Sequence, residues 1–159
     1  DMEKLRWMNG EYLRMKSDEE LIRLINDFLK HDASSVIPGL TRDPDTQISK
    51  ILPLVKERMK TLKEFESLAG FFFEKPKEFE RPLNKEIVTK LKDVLEKAEW
   101  THDAMEQAVR ALTDSMGLKA KEVFMELRVA ITGKTVGPPL LESLEVLGRE
   151  ETLSRLKSS

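Results

Sequence analysis

Apolar residues recur at three- and four-residue spacing along most of this chain, and helix-start and helix-stop residues cut the runs. That pattern fits amphipathic helices. Asn84 precedes a stripe of Ile87, Leu91, Val94, Leu95 and Ala98; Thr101 precedes Ala104, Met105, Ala108, Val109, Leu112 and Met116, closed by Gly117. Asn and Thr side chains cap helix starts, and glycine takes the left-handed conformation that ends them. A third stripe, Val123, Phe124, Leu127 and Ile131, runs from about residue 119 to 132 and stops at Gly133, and shorter helices are expected at 140–147 and 150–157. No run alternates apolar and polar residues between turn signals as a strand would. With 40% hydrophobic, 35% charged and 6% aromatic residues in 159, the fold class is all-α.

Upstream, Ser17-Asp18-Glu19-Glu20 has capping-box spacing, followed by Leu21, Leu24, Ile25, Phe28 and Leu29 on one stripe. Residues 32–45 hold two prolines, a glycine and several turn formers and read as a loop. From 47 to 69, Ile48, Ile51, Leu52, Val55, Met59, Leu62 and Phe65 keep the helical period, with Pro53 marking a start or a kink. A continuous helix over 48–68 would be about 30 Å long, with Arg58 on the rim of its apolar stripe. Phe71, Phe72 and Phe73 could be stacking platforms for bases but read as a buried plug between helices, and the stretch from Lys75-Pro76 to Arg81-Pro82 as a connector. The expected organisation is two packed small helical subdomains: a connector at 1–16, a first subdomain at 17–75 and a second at 76–159.

Charge gives no global argument for nucleic acid, since the net charge is -2. Locally, Lys56, Arg58, Lys60 and Lys63 stand against Glu57 alone. This segment suits phosphate attraction or a solvated helix face. The chain has no cysteine, which excludes disulfides and thiolate metal sites. No apolar run approaches the roughly 20 residues of a membrane span, so a cytoplasmic protein without a membrane partner is expected. His31 and His102 have no partners at metal-ligand spacing, and HExxH, a Gly-rich phosphate loop and GxSxG do not occur. Neither a catalytic nor a metal site is expected in this chain.

Three segments, EKLRWMNGEYLR at 3–14, VKERMKTLKEF at 55–65 and ELRVAITGKTVGPPLLESLEVLG at 126–148, together resemble the carboxy-terminal part of bacterial glutamyl-tRNA synthetases. The resemblance covers essentially the whole chain. It implies a helical anticodon-binding region that contacts the tRNA for glutamate, not DNA, in a cytoplasmic and monomeric enzyme of protein biosynthesis. The HIGH-like and KMSKS-like motifs of the family's Rossmann-type catalytic domain are missing from this sequence. ATP and magnesium are thus implied for the full-length ligase, and this chain alone is expected to be non-catalytic.

By the same resemblance, Arg58 reads the third anticodon base. A guanidinium offers only donors, and the pairing edge of cytosine presents acceptors at O2 and N3, where guanine presents donors at N1 and N2. Arg128, Gly137, Pro138 and Leu140 match positions that hold the first two bases: Gly137 admits close backbone approach, Leu140 packs on a base face, and the prolines stiffen the loop. Lys56, Lys60 and Lys63 are expected to add weak phosphate attraction. The loop at 32–45 is longer than the family pattern, and Pro139 replaces a more flexible position. Trp7, Asn9 and Tyr12 resemble the segment that follows the catalytic domain, with Trp7 and Tyr12 expected in the core. The alternative is a helical protein-interaction scaffold, which requires an exposed aromatic patch near Phe71 to Phe73.

Overall fold

The computed structural model describes residues 10–31 and 44–158, and side chains over 10–27 and 48–158 except residue 66. Trp7, Asn9, residues 32–43 and the side chains of Phe28 and Leu29 lie outside the described residues. Among the described residues every regular element is helical, so the protein is all-α. It divides into two compact units, Asp1–Glu74 and Lys75–Ser159.

In the first unit, a helical turn at 10–15 precedes α1 (Asp18–His31), α2 (Pro44–Val55) and α3 (Lys63–Ala69), with a 3-10 turn at Gly70–Phe72. Ser17 Oγ accepts the Glu20 amide at 3.3 Å, the capping bond its spacing predicts. Helices α1 and α2 pack together. Leu21 and Ile25 from one, with Ile48, Ile51, Leu52 and Val55 from the other, are almost fully removed from water. Each such side chain contributes about 1.5–3 kcal/mol.

The single helix expected over 48–68 is broken. Pro53 lies inside α2, which ends at Val55. Proline has no amide hydrogen for the carbonyl one turn back, and two residues later the Arg58 and Met59 amides both converge on the Val55 carbonyl at 3.0 Å. A new helix then starts with its own cap: Thr61 Oγ1 accepts the Glu64 amide at 3.3 Å, and Glu64 Oε2 accepts the Lys60 amide at 3.1 Å. Thr61-x-x-Glu64 has capping-box spacing. Helix α2 also takes in Pro44 and Asp45, which were expected in the loop; proline suits a first helical position.

Two aromatic expectations change. Tyr12 is 61% exposed, with the Lys16 ammonium 4.4 Å from its ring centre. Phe71, Phe72 and Phe73 are half-buried, not a sealed plug, and the first two rings stack at 4.2 Å.

The second unit holds α4 (Lys85–Lys97), α5 (His102–Met116), α6 (Ala120–Thr132), α7 (Leu140–Leu147) and α8 (Arg149–Ser158). Asn84 accepts from the Glu86 and Ile87 amides and Thr101 from the Ala104 amide, while Gly117 and Gly133 end α5 and α6 with φ of 66° and 79°. Helix α4 packs on α5, α6 and α8, and Leu91, Leu95, Met105, Val109, Leu127, Ile131 and Leu144 are completely buried in one cluster. Two buried charges tie elements together. Glu126 accepts from Arg81 at 2.9 Å and from the Asn84 amide at 3.1 Å; Arg155 donates to Glu151 and to the Ile131 carbonyl. Paired in this way, each offsets the cost of burying an ion. No helix among the described residues is long and apolar enough to cross a membrane.

Candidate nucleic-acid interface

Arg58 stands in the turn between α2 and α3, not in a long helix. Its neighbour Met59 is fully buried and anchors the turn, while Arg58 is exposed and its guanidinium donates to no described residue. The turn is held from the 10–18 segment. Arg14 Nη1 donates to the Glu57 carbonyl at 3.4 Å, and Lys56 Nζ donates to the Lys16 carbonyl at 3.0 Å and to Asp18 Oδ1 at 2.9 Å. Arg14 is itself paired with Glu11. Gly10 completes the fit: a Cβ there would stand 3.3 Å from both Arg14 Nη1 and Lys60 Cγ. The Lys56 charge, expected to face phosphate, is thus engaged within the unit. Lys60 and Lys63 are exposed.

In the second unit the loop 133–139 joins α6 to α7. Gly133 is required there twice over: its φ is 79°, and a Cβ would come 2.5 Å from the Glu78 carbonyl oxygen. The Gly133 carbonyl accepts the Glu80 amide at 2.8 Å, and the Glu80 carboxylate accepts from the Thr135 amide and hydroxyl at 3.1 and 2.8 Å. The Thr135 hydroxyl first, then its amide, hold the Glu80 carboxyl below the ordinary carboxylate range.

Arg128 is half-buried beneath this loop, and its Nη1 donates to the Pro138 carbonyl at 2.8 Å. That carbonyl is thus engaged within the chain, by an arginine ten residues earlier. Pro138 is buried, and Pro139 flanks the start of α7, its carbonyl accepting from the Ser143 amide and hydroxyl. Leu140 is 8% exposed and belongs to the core cluster, so its side chain is committed inward. Gly137 differs from Gly133. Its φ is not positive, and a Cβ would meet only Arg128 Nη1, at an ordinary 3.5 Å. Nothing within the described chain demands glycine at 137.

An open groove of about 400 Å³ lies beside this loop among α5, α6 and α7. Arg128 and Leu140 line it, joined by Arg110, Phe124 and Met125, which sequence reasoning did not select. The Arg110 guanidinium lies 5.8 Å from the Phe124 ring centre and is oriented by Glu106 at 3.1 Å. A phase argument could have found Phe124: with Arg128 four residues on, it falls on one helix face. Arg110 arrives from another helix, so only packing reveals it. At the groove's end His102 Nε2 lies 3.4 Å from Glu142 Oε1, and Nδ1 lies 3.4 Å from Asp103. The bond to Asp103, with Glu142 and Glu106 nearby, raises the His102 pKa.

The first unit offers an exposed guanidinium on a braced turn, and the second an open groove lined by Arg110, Lys121, Arg128 and the Phe124 ring, with Glu106 and Glu142 beside them. Both features suit unstacked bases of a single-stranded loop.

Comparisons with known proteins agree on the family. Residues 20–159 match the anticodon binding domain family. Glutamate–tRNA ligase 1 of Fervidobacterium nodosum is 38% identical over 157 residues, which are 97% of this chain and 31% of that protein. The glutamate–tRNA ligase of Solibacter usitatus is 35% identical over 164 residues, 96% of this chain and 32% of the ligase. A crystal structure of a glutamate tRNA ligase from Elizabethkingia meningosepticum, in complex with its amino acid, superposes with a TM-score of 0.78 at 25% identity, over 99% of this chain and 32% of that one. The chain spans about a third of the length of the relatives it matches. It belongs to the anticodon-binding domain family, in the form that glutamate–tRNA ligases carry.

Proposed function

We propose that this chain is the part of a cytoplasmic, monomeric glutamate–tRNA ligase that grips the anticodon of the tRNA for glutamate, with aminoacylation, ATP and magnesium belonging to the rest of the enzyme. The observation that carries the reading is the exposed Arg58 guanidinium, without a partner among the described residues, on a turn whose backbone is fixed. Arg58 donates to O2 and N3 of cytosine at the third anticodon position and meets donors on guanine. If base-pair values from DNA transfer, the discrimination is about 1–3 kcal/mol.

The first two bases lie against the Arg128 loop and the groove beside it. Gly137, which the fold itself does not need, leaves room for a base to approach the backbone. Leu140 serves from below, by fixing the groove floor, more than as an exposed stacking surface. Lys60 and Lys63 supply phosphate attraction, at roughly 0.7 log units per contact per decade of salt on a single strand. The half-burial of Phe71 to Phe73 weighs against the protein-scaffold alternative, which needs those rings in solvent.

The test is binding of the chain to an RNA hairpin with a glutamate anticodon and to its twin with guanine for cytosine at the third position, at two salt concentrations. Wild type should prefer cytosine and Arg58→Ala should not. Equal binding in all four combinations sinks the anticodon reading.

A further inference from the structure

Arg58 has no side-chain partner among the described residues, so its direction is set by the backbone beneath it. That backbone is a seven-residue break between helices, which alone would be a soft element. Three attachments stiffen it, all from the 10–18 segment far earlier in sequence. The Glu57 carbonyl, immediately before Arg58, is taken by Arg14. Lys56, two residues before, sends its ammonium onto the Lys16 carbonyl and the Asp18 carboxylate. Lys60, two residues after, lies against Gly10 with no room to spare.

We propose that Lys56 and Arg14 are positioning residues, whose bonds to the Lys16 carbonyl, Asp18 and the Glu57 carbonyl aim Arg58 at the third anticodon base. The inference rests on the reading of Arg58 given above. It also changes the role of Lys56. An ammonium that caps a carbonyl just beyond a helical turn and faces a carboxylate is in a favourable place near a helix end. It is spent internally, so Lys56 should contribute to selectivity and not to the salt dependence of binding. Base reading tolerates little misplacement, because two parallel donor–acceptor pairs must align at once. Loss of either brace lets the turn sample directions in which only one pair forms.

The test compares wild type, Arg58→Ala, Lys56→Met, Lys56→Arg and Arg14→Met for binding the cytosine and guanine hairpins across a salt series. Amide exchange is measured at Arg58 and Met59, with Leu21 and Leu52 as core controls. Lys56→Met and Arg14→Met should lower the cytosine preference by roughly fivefold or more, with the salt slope unchanged and the two turn amides exchanging faster than the core controls. Lys56→Arg should retain the preference, since it keeps a charged donor. If Lys56→Met keeps the wild-type preference while Arg58→Ala loses it, the bracing role is wrong and the anticodon reading stands. If Arg58→Ala matches wild type on both RNAs, the anticodon reading falls and this inference falls with it. A salt slope that drops with Lys56→Met would return Lys56 to phosphate contact and overturn the proposal. Should Lys56→Met fail to fold, Asp18→Asn removes one of its partners more gently and must shift the preference the same way.

Discussion

The turn bearing Arg58 and the loop above Arg128 use the same residue type in opposite ways. In the first, other side chains hold the backbone and the arginine is left to solvent. In the second, the arginine holds the backbone, through the Pro138 carbonyl. An arginine whose donors are unused can discriminate between bases, whereas one with a donor committed mainly shapes the surface that a base meets. The contrast separates stability from recognition, and substitutions can break it.

The largest effect is expected at Gly133→Ala. A Cβ 2.5 Å from the Glu78 carbonyl oxygen, on a residue with φ of 79°, should destabilise the second unit by roughly 2 kcal/mol or more, read by denaturant unfolding. Gly10→Ala meets side-chain atoms of Arg14 and Lys60 at 3.3 Å, which must give by only a few tenths of an ångström, and its φ is not positive, so its change should stay below about 1 kcal/mol. Equal effects would mean that the two turns are equally yielding.

Next comes the pair of arginines. Arg128→Ala strips a donor from the Pro138 carbonyl and should lower the stability of the second unit by about 1–2 kcal/mol, along with RNA binding. Arg58→Ala should stay within about 0.5 kcal/mol in stability while abolishing third-base discrimination. A thermal shift as large for Arg58→Ala as for Arg128→Ala would erase the distinction.

Gly137→Ala should leave stability within about 0.5 kcal/mol yet weaken hairpin binding, because the added Cβ makes only an ordinary contact with Arg128 within the protein but takes room a base would use. Unchanged affinity would remove that residue from the interface.

Smaller still are the pH effects. The Glu80 carboxyl is held below its ordinary value by Thr135; the stability it lends the loop is present above the unfolded carboxylate pKa and is lost as pH falls through the folded one. The Thr135 amide should therefore exchange faster, after correction for intrinsic rates, in that acid window. His102 runs the other way. Its pKa is raised, chiefly by Asp103 and also by Glu142, so its contribution is full below the unfolded histidine value and fades as pH rises through the folded one. Proton NMR titration of the His102 ring checks the direction.

Legibility in the sequence followed locality. Asn84, Thr101 and Gly133 act within a few residues of themselves, and the structure shows each at the helix end where its type and spacing put it. The break after Val55 was written just as locally, in Thr61-Leu62-Lys63-Glu64, but the apolar period ran through it and masked the cap. Tyr12 misled in the other direction. Aromatic character suggested the core, while the structure turns it outward beside Lys16.

By itself the sequence determined the all-α class, most helix ends and, through three ordered segments, the family, because caps, glycine stops and apolar spacing act over a turn or two of helix. Only the tertiary structure decided that Lys56 is spent on Lys16 and Asp18, that Arg128 fills the Pro138 carbonyl, that Leu140 is core and that Arg110 meets Phe124. Lys56 and Arg110 meet partners from separate helices or distant segments. Where a side chain's donors go is settled by which surfaces fold against one another, and no local spacing records that.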